Sequence, residues 1–528
     1  RNEDGQSLSM SGNSGAWGFF LSGARQYSAM RQNPVMLDPA ANQVVNLHNG
    51  GDDGFGFGKV QYSAGVHDVL TLEFNDSRTH FAIPYDTTGG ASLDDHQTDV
   101  NSFVNLGWHH LFGDSTSASN PPSDLFGSLF MRSGSLHYVP GTTDQAQFLF
   151  YPDTTPYNLA ESRKFTVYGV KADYTYRLAH ETEFKFGTAS SVTNGHEDFS
   201  ATTQSGTPGP FSNSGLVGSD VGVYAQTAFS PVGWFQLRTG VRYDAHTAPY
   251  AGTQTQVSPR IRFNFFPNPE TSFWLYYGRQ FMPTNIEDLR AITSIAQAGT
   301  AAEPTLPERD NFYEVGITHR FVDEGLVAKA SYYRKDSSPG IDDNTVPGSS
   351  IVTDVNIQNV HIQGIETVLQ YRPTGPFSAY INAALNHAYG SGTITGGFFP
   401  SAPPSGPFDL DHDQRLSLVG SFNYAPSQWF FSGTAIYGSG LTNGVDPSSC
   451  GCAYGTGLTD FNTGVKVSPS TIVNASLGYT FLFGTTVVQP QLYVENLLDH
   501  TYLLKGAFFS GASVGRPRNI ELRVNVGM

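Results

Sequence analysis

The chain has 528 residues with a formal net charge of −17, and this acidic balance argues against a nucleic-acid partner, which calls for basic patches. Only 14% of the residues are charged, yet no run approaches the roughly 18 consecutive apolar residues of a spanning helix, so a helical membrane crossing is excluded. A strand-built crossing is not excluded, because alternating spans average to a mean hydropathy near zero.

The 38 phenylalanines and 26 tyrosines suit a pleated, half-buried surface better than a helix. In chain order, "GQSLSMSG" (5–12) reads as the end of a descending strand and "AWGFFLSGARQY" (16–27) as a rising one, with a turn at about 11–15. No signal peptide is visible at "RNEDGQSLSM". In "YGVKADYTYR" (168–177), Tyr168, Val170, Ala172, Tyr174 and Tyr176 oppose Gly169, Lys171, Asp173, Thr175 and Arg177. In "FQLRTGVRYD" (235–244), Phe235, Leu237, Thr239, Val241 and Tyr243 oppose Gln236, Arg238, Gly240, Arg242 and Asp244. "RIRFNF" (260–265) and the terminal "NIELRVNVGM" (519–528) repeat the pattern. Many such segments run about ten residues or more, enough to cross a bilayer at a tilt, whereas soluble strands average about five to six.

The connections alternate in kind. Short ones at 63–68, 178–182, 230–234, 266–271, 322–325, 372–376, 425–428 and 482–486, with a longer one at 113–124, are rich in turn formers. Between them lie long polar or glycine-rich segments at 28–54, 80–97, 139–161, 194–218, 248–256, 282–308, 338–354, 391–411, 441–467 and 505–514. Short turns on one side and long loops on the other predict an all-β, antiparallel transmembrane barrel with periplasmic turns and extracellular loops. About 21 strands are countable, and the even number usual in bacterial barrels makes about 22 in the complete protein. The missing strand is expected upstream of Arg1, pairing with the closing strand that ends at Met528.

Several stretches resemble the barrel of TonB-dependent outer-membrane receptors. They are "SPRIRFNFFPNPETSFWLYYGRQFMPTNIEDL" (258–289), "PERDNFYEVGITHRF" (307–321), "VHIQGIETVLQY" (360–371), "DLDHDQRLSL" (409–418), and "LYVENLLDHTY" (492–502) followed by "GRPRNIELRV" (515–524). Their order and spacing over nearly the whole chain carry the likeness. Residues 46–84 also resemble the large receptors whose plug follows a carboxypeptidase-regulatory-like domain. The resemblance implies an outer-membrane receptor for TonB-energised uptake of a scarce solute such as a siderophore, cobalamin, a glycan or a peptide. It also implies a plug, supplied by the protein's own N-terminus or another chain, and TonB as partners. The family's plug and TonB box are not seen in residues 1–528, and the chain ends on Met528 where members usually end on an aromatic residue, so the sequence reads as the barrel alone. The alternatives are a plugless scaffold or anchor in an outer-membrane assembly, and a passive pore.

Isolated charges facing lipid cost roughly 2–4 kcal/mol near the midplane, so Arg238, Arg242, Arg260, Arg262, Glu366, Arg372, Glu521 and Arg523 are expected to face the lumen. There they read first as structural charges paired across strands, and second as contacts to a plug or solute. Loop aromatics, Tyr85, Tyr151, Tyr157, Tyr250, Phe398, Phe399 and Tyr454, are the candidate solute contacts. Cys450 and Cys452 read as a small loop disulfide, or as a soft metal site if further ligands approach. "DHDQR" (411–415) reads as a hydrogen-bonding cluster at a strand entry, and "HH" (109–110) as structural. "GFGFGK" (54–59) lacks the following helix a phosphate loop needs. No nucleophile, base and orienting group stand together, so no enzyme, cofactor or resident metal is expected. The acidic loops would face outer-membrane lipid and lipopolysaccharide, where divalent cations bridge anionic groups.

Overall fold

The computed structural model describes residues 3–31, 35–38, 43–45, 48–83, 94–113, 122–141, 148–149, 154–179, 182–249, 251–285, 304–321, 325–345, 352–396, 406–410, 412–442, 466–505 and 512–527. Among them every regular element is a strand. The staves are β1 (Glu3–Ser14), β2 (Trp17–Ser28), β3 (Gly51–Ala64), β4 (Asp68–Ala82), β5 (His96–Phe112), β6 (Ser123–Val139) and β7 (Pro156–Ala179). They continue as β8 (Thr182–Thr203), β9 (Pro208–Val232), β10 (Phe235–Ala248), β11 (Gly252–Asn268), β12 (Thr271–Met282), β13 (Glu308–Phe321) and β14 (Leu326–Ser337). The last are β15 (Val352–Tyr371), β16 (Phe377–Gly396), β17 (Leu416–Tyr424), β18 (Trp429–Gly438), β19 (Ser470–Tyr479), β20 (Thr486–Glu495) and β21 (Asn519–Gly527). Each pairs antiparallel with the next, and with four short fragments they form one 25-stranded sheet, the wall of a transmembrane barrel.

The period-two pattern determines which face meets lipid. On β4, Leu70, Leu72 and Phe74 are exposed, on β5 Val104, Leu106 and Trp108, and on β21 Ile520, Leu522, Val524 and Val526. In a water-soluble sheet this apolar surface would be a liability; in a bilayer it is the solvated face. Exposed rings gather near the short turns, with Trp17, Trp108, Phe112, Tyr176, Trp234, Tyr371, Tyr424 and Trp429 at that end of the staves. Some touch across strands, as Tyr371 with Phe377, Phe377 with Phe422 and Phe422 with Phe431, at centroid distances of 6.1, 6.3 and 5.4 Å. This is the aromatic girdle of one membrane interface.

Two of the expected long loops are instead strand. β8 and β9, of 22 and 25 residues, continue as a ladder through most of 194–218 and turn only at residues 204–207. β10 and β11 run to Ala248 opposite Gly252, whose φ of +64° suits glycine, leaving a tight turn where 248–256 reads as a loop. Since about 9–11 residues span a bilayer, these hairpins project well beyond it. Out there neither face has to be apolar, so "NGHEDFSATT" (194–203) loses its alternation while the backbone ladder persists.

The first and last staves meet at the outer end. Asn519 Nδ2 donates to Glu3 Oε2 at 3.2 Å, and Arg516 Nη1 lies 3.4 Å from Glu3 Oε1. Nearby a separate four-stranded sheet joins Val35–Asp38 and Gln43–Val45 to Leu503–Lys505 and Ala512–Val514.

Placement in lipid yields a test. Leu492→Arg, on the lipid face of β20, is expected to cost about 2–4 kcal/mol in folding into bilayers. Gln489→Arg, on the opposite face of the same strand, is expected to cost less than about 1 kcal/mol. Urea titration of both variants in vesicles checks the difference.

Candidate functional site

The face opposite the lipid belt is polar, and its arginines are held by their own strands. Residues two apart share a face. Arg238 Nε donates to Gln236 Oε1 at 2.9 Å, Arg242 Nε to Asp244 Oδ1 at 2.6 Å, and Arg262 Nε to Asn264 Oδ1 at 2.8 Å. Arg523 grips Glu521 with Nε at 2.8 Å and Nη2 at 2.6 Å, and its guanidinium lies 4.5 Å from the Tyr493 ring centroid. Arg260 reaches across to Gln226 Oε1 instead. Each guanidinium is thereby held against the wall while keeping N–H groups beyond those these bonds use.

Around Arg242 the wall forms a recess of about 390 Å³, lined among others by Phe130, Asp220, Gly222, Asp244 and Phe281. Gly222 leaves space here that the Arg242 guanidinium occupies, so a Cβ at this position would displace it. His246, 1% exposed, holds Asp220 Oδ1 at 2.7 Å through Nδ1. Neighbouring staves add Asp173, which accepts from Tyr224 and lies 3.3 Å from Lys171 Nζ. Acidic, basic and aromatic groups therefore alternate around one concave polar surface, suited to holding a polar solute or another polypeptide by many weak contacts.

Two clusters brace the outer ends of the staves. Lys335 contacts Glu308 and lies 3.4 Å from Asp310, which is fully buried, while the Ile341 amide donates to Glu308 Oε2 at 2.8 Å. The lysine neutralises carboxylates that would otherwise be buried without compensation. In the second cluster Arg415 donates to both Asp409 oxygens at 3.0 Å and lies 2.5 Å from the buried Asp413, which also accepts the Ala388 amide at 2.8 Å. His387 Nε2 lies 2.9 Å from Asp409 Oδ1. Burial opposes ionisation of Asp409, but His387 and Arg415 together hold its carboxyl below the usual carboxylate range.

Of the candidate solute contacts, Tyr157 is 9% exposed, with its ring where a Cβ on Gly209 would stand. Tyr85, Tyr151, Tyr250, Phe398, Phe399 and Tyr454 lie outside the described residues, as do Cys450, Cys452 and Asp411. Arg238, Arg242, Arg260, Arg262, Glu521 and Arg523 stand on the polar face of their strands, as does Glu366, opposite Ser331 in the ladder. Arg372 sits one residue beyond β15, in the turn, its amide donating to Gly325 O at 2.7 Å. His109 and His110 pair with Asp124 and Asp68 at 3.6 and 2.8 Å. The sequence places Asp173 on a polar strand face but marks neither it nor Tyr224, His246 and Lys335 as site residues. Their sequence signal is a polar residue on the lumen face of a stave, and each has a partner on another stave.

Lys335→Met should destabilise the folded chain by about 3–5 kcal/mol, read by denaturant titration in detergent. Asp409→Asn should destabilise it at pH 7. Because the folded carboxyl titrates below its unfolded value of about 3.9, the native advantage is present above that value and fades as pH falls through the folded one. Paired melting curves from pH 7 to pH 3 check the convergence.

Comparison with known proteins agrees with this architecture. The family model described as TonB dependent receptor-like, beta-barrel matches residues 39–497. Copper transporter OprC superposes with a TM-score of 0.70 at 12% identity, over 98% of this chain and 77% of that one. The FrpB iron transporter from Neisseria meningitidis gives 0.72 at 14% identity, over 99% and 79%. The ferric yersiniabactin uptake receptor FyuA from Yersinia pestis gives 0.70 at 12% identity, over 98% and 77%. Such identities speak to fold alone, and a comparison with curated protein sequences returned no match. With the family model spanning most of its length, the chain belongs to the TonB-dependent receptor-like β-barrel family.

Proposed function

We propose that this chain is the barrel of an outer-membrane receptor that binds a scarce solute at its outer mouth and passes it inward through a gated lumen. The observation that carries the reading is the lumen wall, where the guanidinium groups of Arg238, Arg242, Arg262 and Arg523 are tethered along their own strands. Such a wall offers a fixed, hydrated, mixed-charge surface on which a plug can seat and later slide, without leaving lipid-facing charges. Barrels of this size hold a plugged lumen, whereas porins of fewer strands leave an aqueous channel. The long β8–β9 hairpin would extend the wall outward to form a vestibule for capture.

In this reading TonB, energised from the inner membrane, displaces the plug, and the barrel contributes selective binding with no covalent step. The solute belongs to the class too large or too dilute for passive pores: a metal chelate, cobalamin, an oligosaccharide or a peptide. Family membership supports receptor over scaffold.

Cells carrying the complete gene should accumulate one member of a labelled panel of ferric siderophores, cobalamin, maltooligosaccharides and peptides. That accumulation should vanish on deletion of TonB or collapse of the proton gradient. Uptake indifferent to both treatments would leave a passive pore, and no uptake of any panel member together with loss of surface assemblies in the deletion strain would favour a scaffold.

A further inference from the structure

We propose that His48, Asp94 and His96 form a binding site for a borderline divalent metal ion of the Zn²⁺ class, outside the bilayer at the outer rim of the barrel wall. One ligand atom from each residue lies within 4.8 Å of the other two. His48 Nε2 stands 3.2 Å from Asp94 Oδ1. Metal–ligand bonds of about 2.0–2.1 Å in a tetrahedral centre put ligand atoms about 3.4 Å apart, so this pair is already at working separation. The Asp94 carboxylate is 61% exposed, and its Oδ1 lies 3.8 Å from His96 Nδ1.

The histidines are oriented as ligands are. His48 Nδ1 donates to the Ile83 carbonyl at 2.8 Å, which places the lone pair on Nε2, a buried nitrogen that faces Asp94 Oδ1 and makes no hydrogen bond among the described residues. His48 holds this pose with a φ of +56°, uncommon for a residue with a side chain. His96 stands edge-on to it, with centroids 4.8 Å apart at 88°, and is backed by the parallel ring of His80 at 5.6 Å. A hydrogen bond of 2.7 Å from His96 Nδ1 to the Asp94 carbonyl sets the ring against its own backbone. Two imidazoles with one carboxylate select Zn²⁺, Cu²⁺ or Ni²⁺ over Mg²⁺ and Ca²⁺, which take oxygen ligands.

The site lies beyond the lipid belt. His96 precedes the exposed Val104 of β5 by eight residues, about 26 Å along a strand. Three segments converge there. Residue 48 leads into β3, Ile83 leaves β4 with its amide on Asp95 O at 2.8 Å, and Asp94 and His96 open β5. An ion would therefore fasten the two ends of the 84–93 connection to the segment before β3. This inference does not depend on the receptor reading.

The test is equilibrium dialysis of the full chain, folded in detergent, against Zn²⁺. About one equivalent should bind and resist millimolar Mg²⁺, and the double variant His48→Gln with His96→Gln should weaken that binding at least tenfold. His109→Gln with His196→Gln, which alters other histidine–aspartate pairs, should leave it unchanged. Heat-modifiable gel mobility reports whether each variant folds. Independently of any variant, Zn²⁺ should shield His96, whose side chain is 39% exposed, from diethyl pyrocarbonate. Absence of a stoichiometric site, displacement by Mg²⁺, unchanged affinity in the folded double variant, or full labelling of His96 in saturating Zn²⁺ would each overturn the proposal.

Discussion

Everything in this chain follows from the need to hydrogen-bond a backbone where there is no water. In hydrocarbon each unpaired N–H or C=O costs several kcal/mol, and a strand satisfies these groups only through its neighbours. The unbroken antiparallel ladder from β1 to β21 is therefore the primary structural element, and side chains are arranged around it. The ladder also sets the alternation: once strands lie side by side, every second residue meets lipid and the others meet the lumen. A core in the ordinary sense is correspondingly small. Among the described residues its main apolar cluster, Val355, Ile357, Val360, Ile394 and Phe408, lies near the outer end of β15 and β16, where strands and the short 408–409 fragment fold over one another.

The same constraint shapes the polar face. A lumen residue cannot find a partner behind it, because lipid is there, so it bonds along its own strand or sideways to a nearby stave, as Arg260 of β11 does to Gln226 of β9. This accounts for the recurrence of arginine with an acceptor two residues away, as in Arg242 with Asp244 and Arg523 with Glu521. Pairing of this kind contributes little to stability when solvated. Its effect is on position, since a tethered guanidinium presents a fixed charge where a free one would sweep the lumen. Near the outer rim, where groups such as Asp310 and Asp413 become fully buried, removing a partner leaves an uncompensated charge and the energetic weight is greater.

How much of this was legible depended on where each residue lies relative to the bilayer. Within the belt, lipid imposes an apolar face, and stretches such as 235–244, 260–265 and 519–527 read directly as strands with the correct face outward. Outside it that demand disappears, which is why 194–203 and 248–256 read as loop while the structure continues the ladder. Partnerships across strands were less legible still. Tyr224 and Asp173 are 51 residues apart in sequence, and Lys335 and Glu308 are 27 apart, with no spacing rule to connect them. The His48, Asp94 and His96 group shows the limit most plainly: its members fell inside two stretches written off as long loops, and only the register of β3, β4 and β5 brings them together.

The seam ties the ladder to the count of staves. In an alternating antiparallel series, β1 and β21 both descend toward the short turns, and the contact of Glu3 with Asn519, each the first residue of its stave, reflects that common direction. Two strands running the same way cannot share an antiparallel ladder. Among the described residues, side chains span the seam at its outer end, through Glu3, Arg516 and Asn519. Alternation thus sets the direction of every stave, and the seam is the one place where that direction repeats among the described staves.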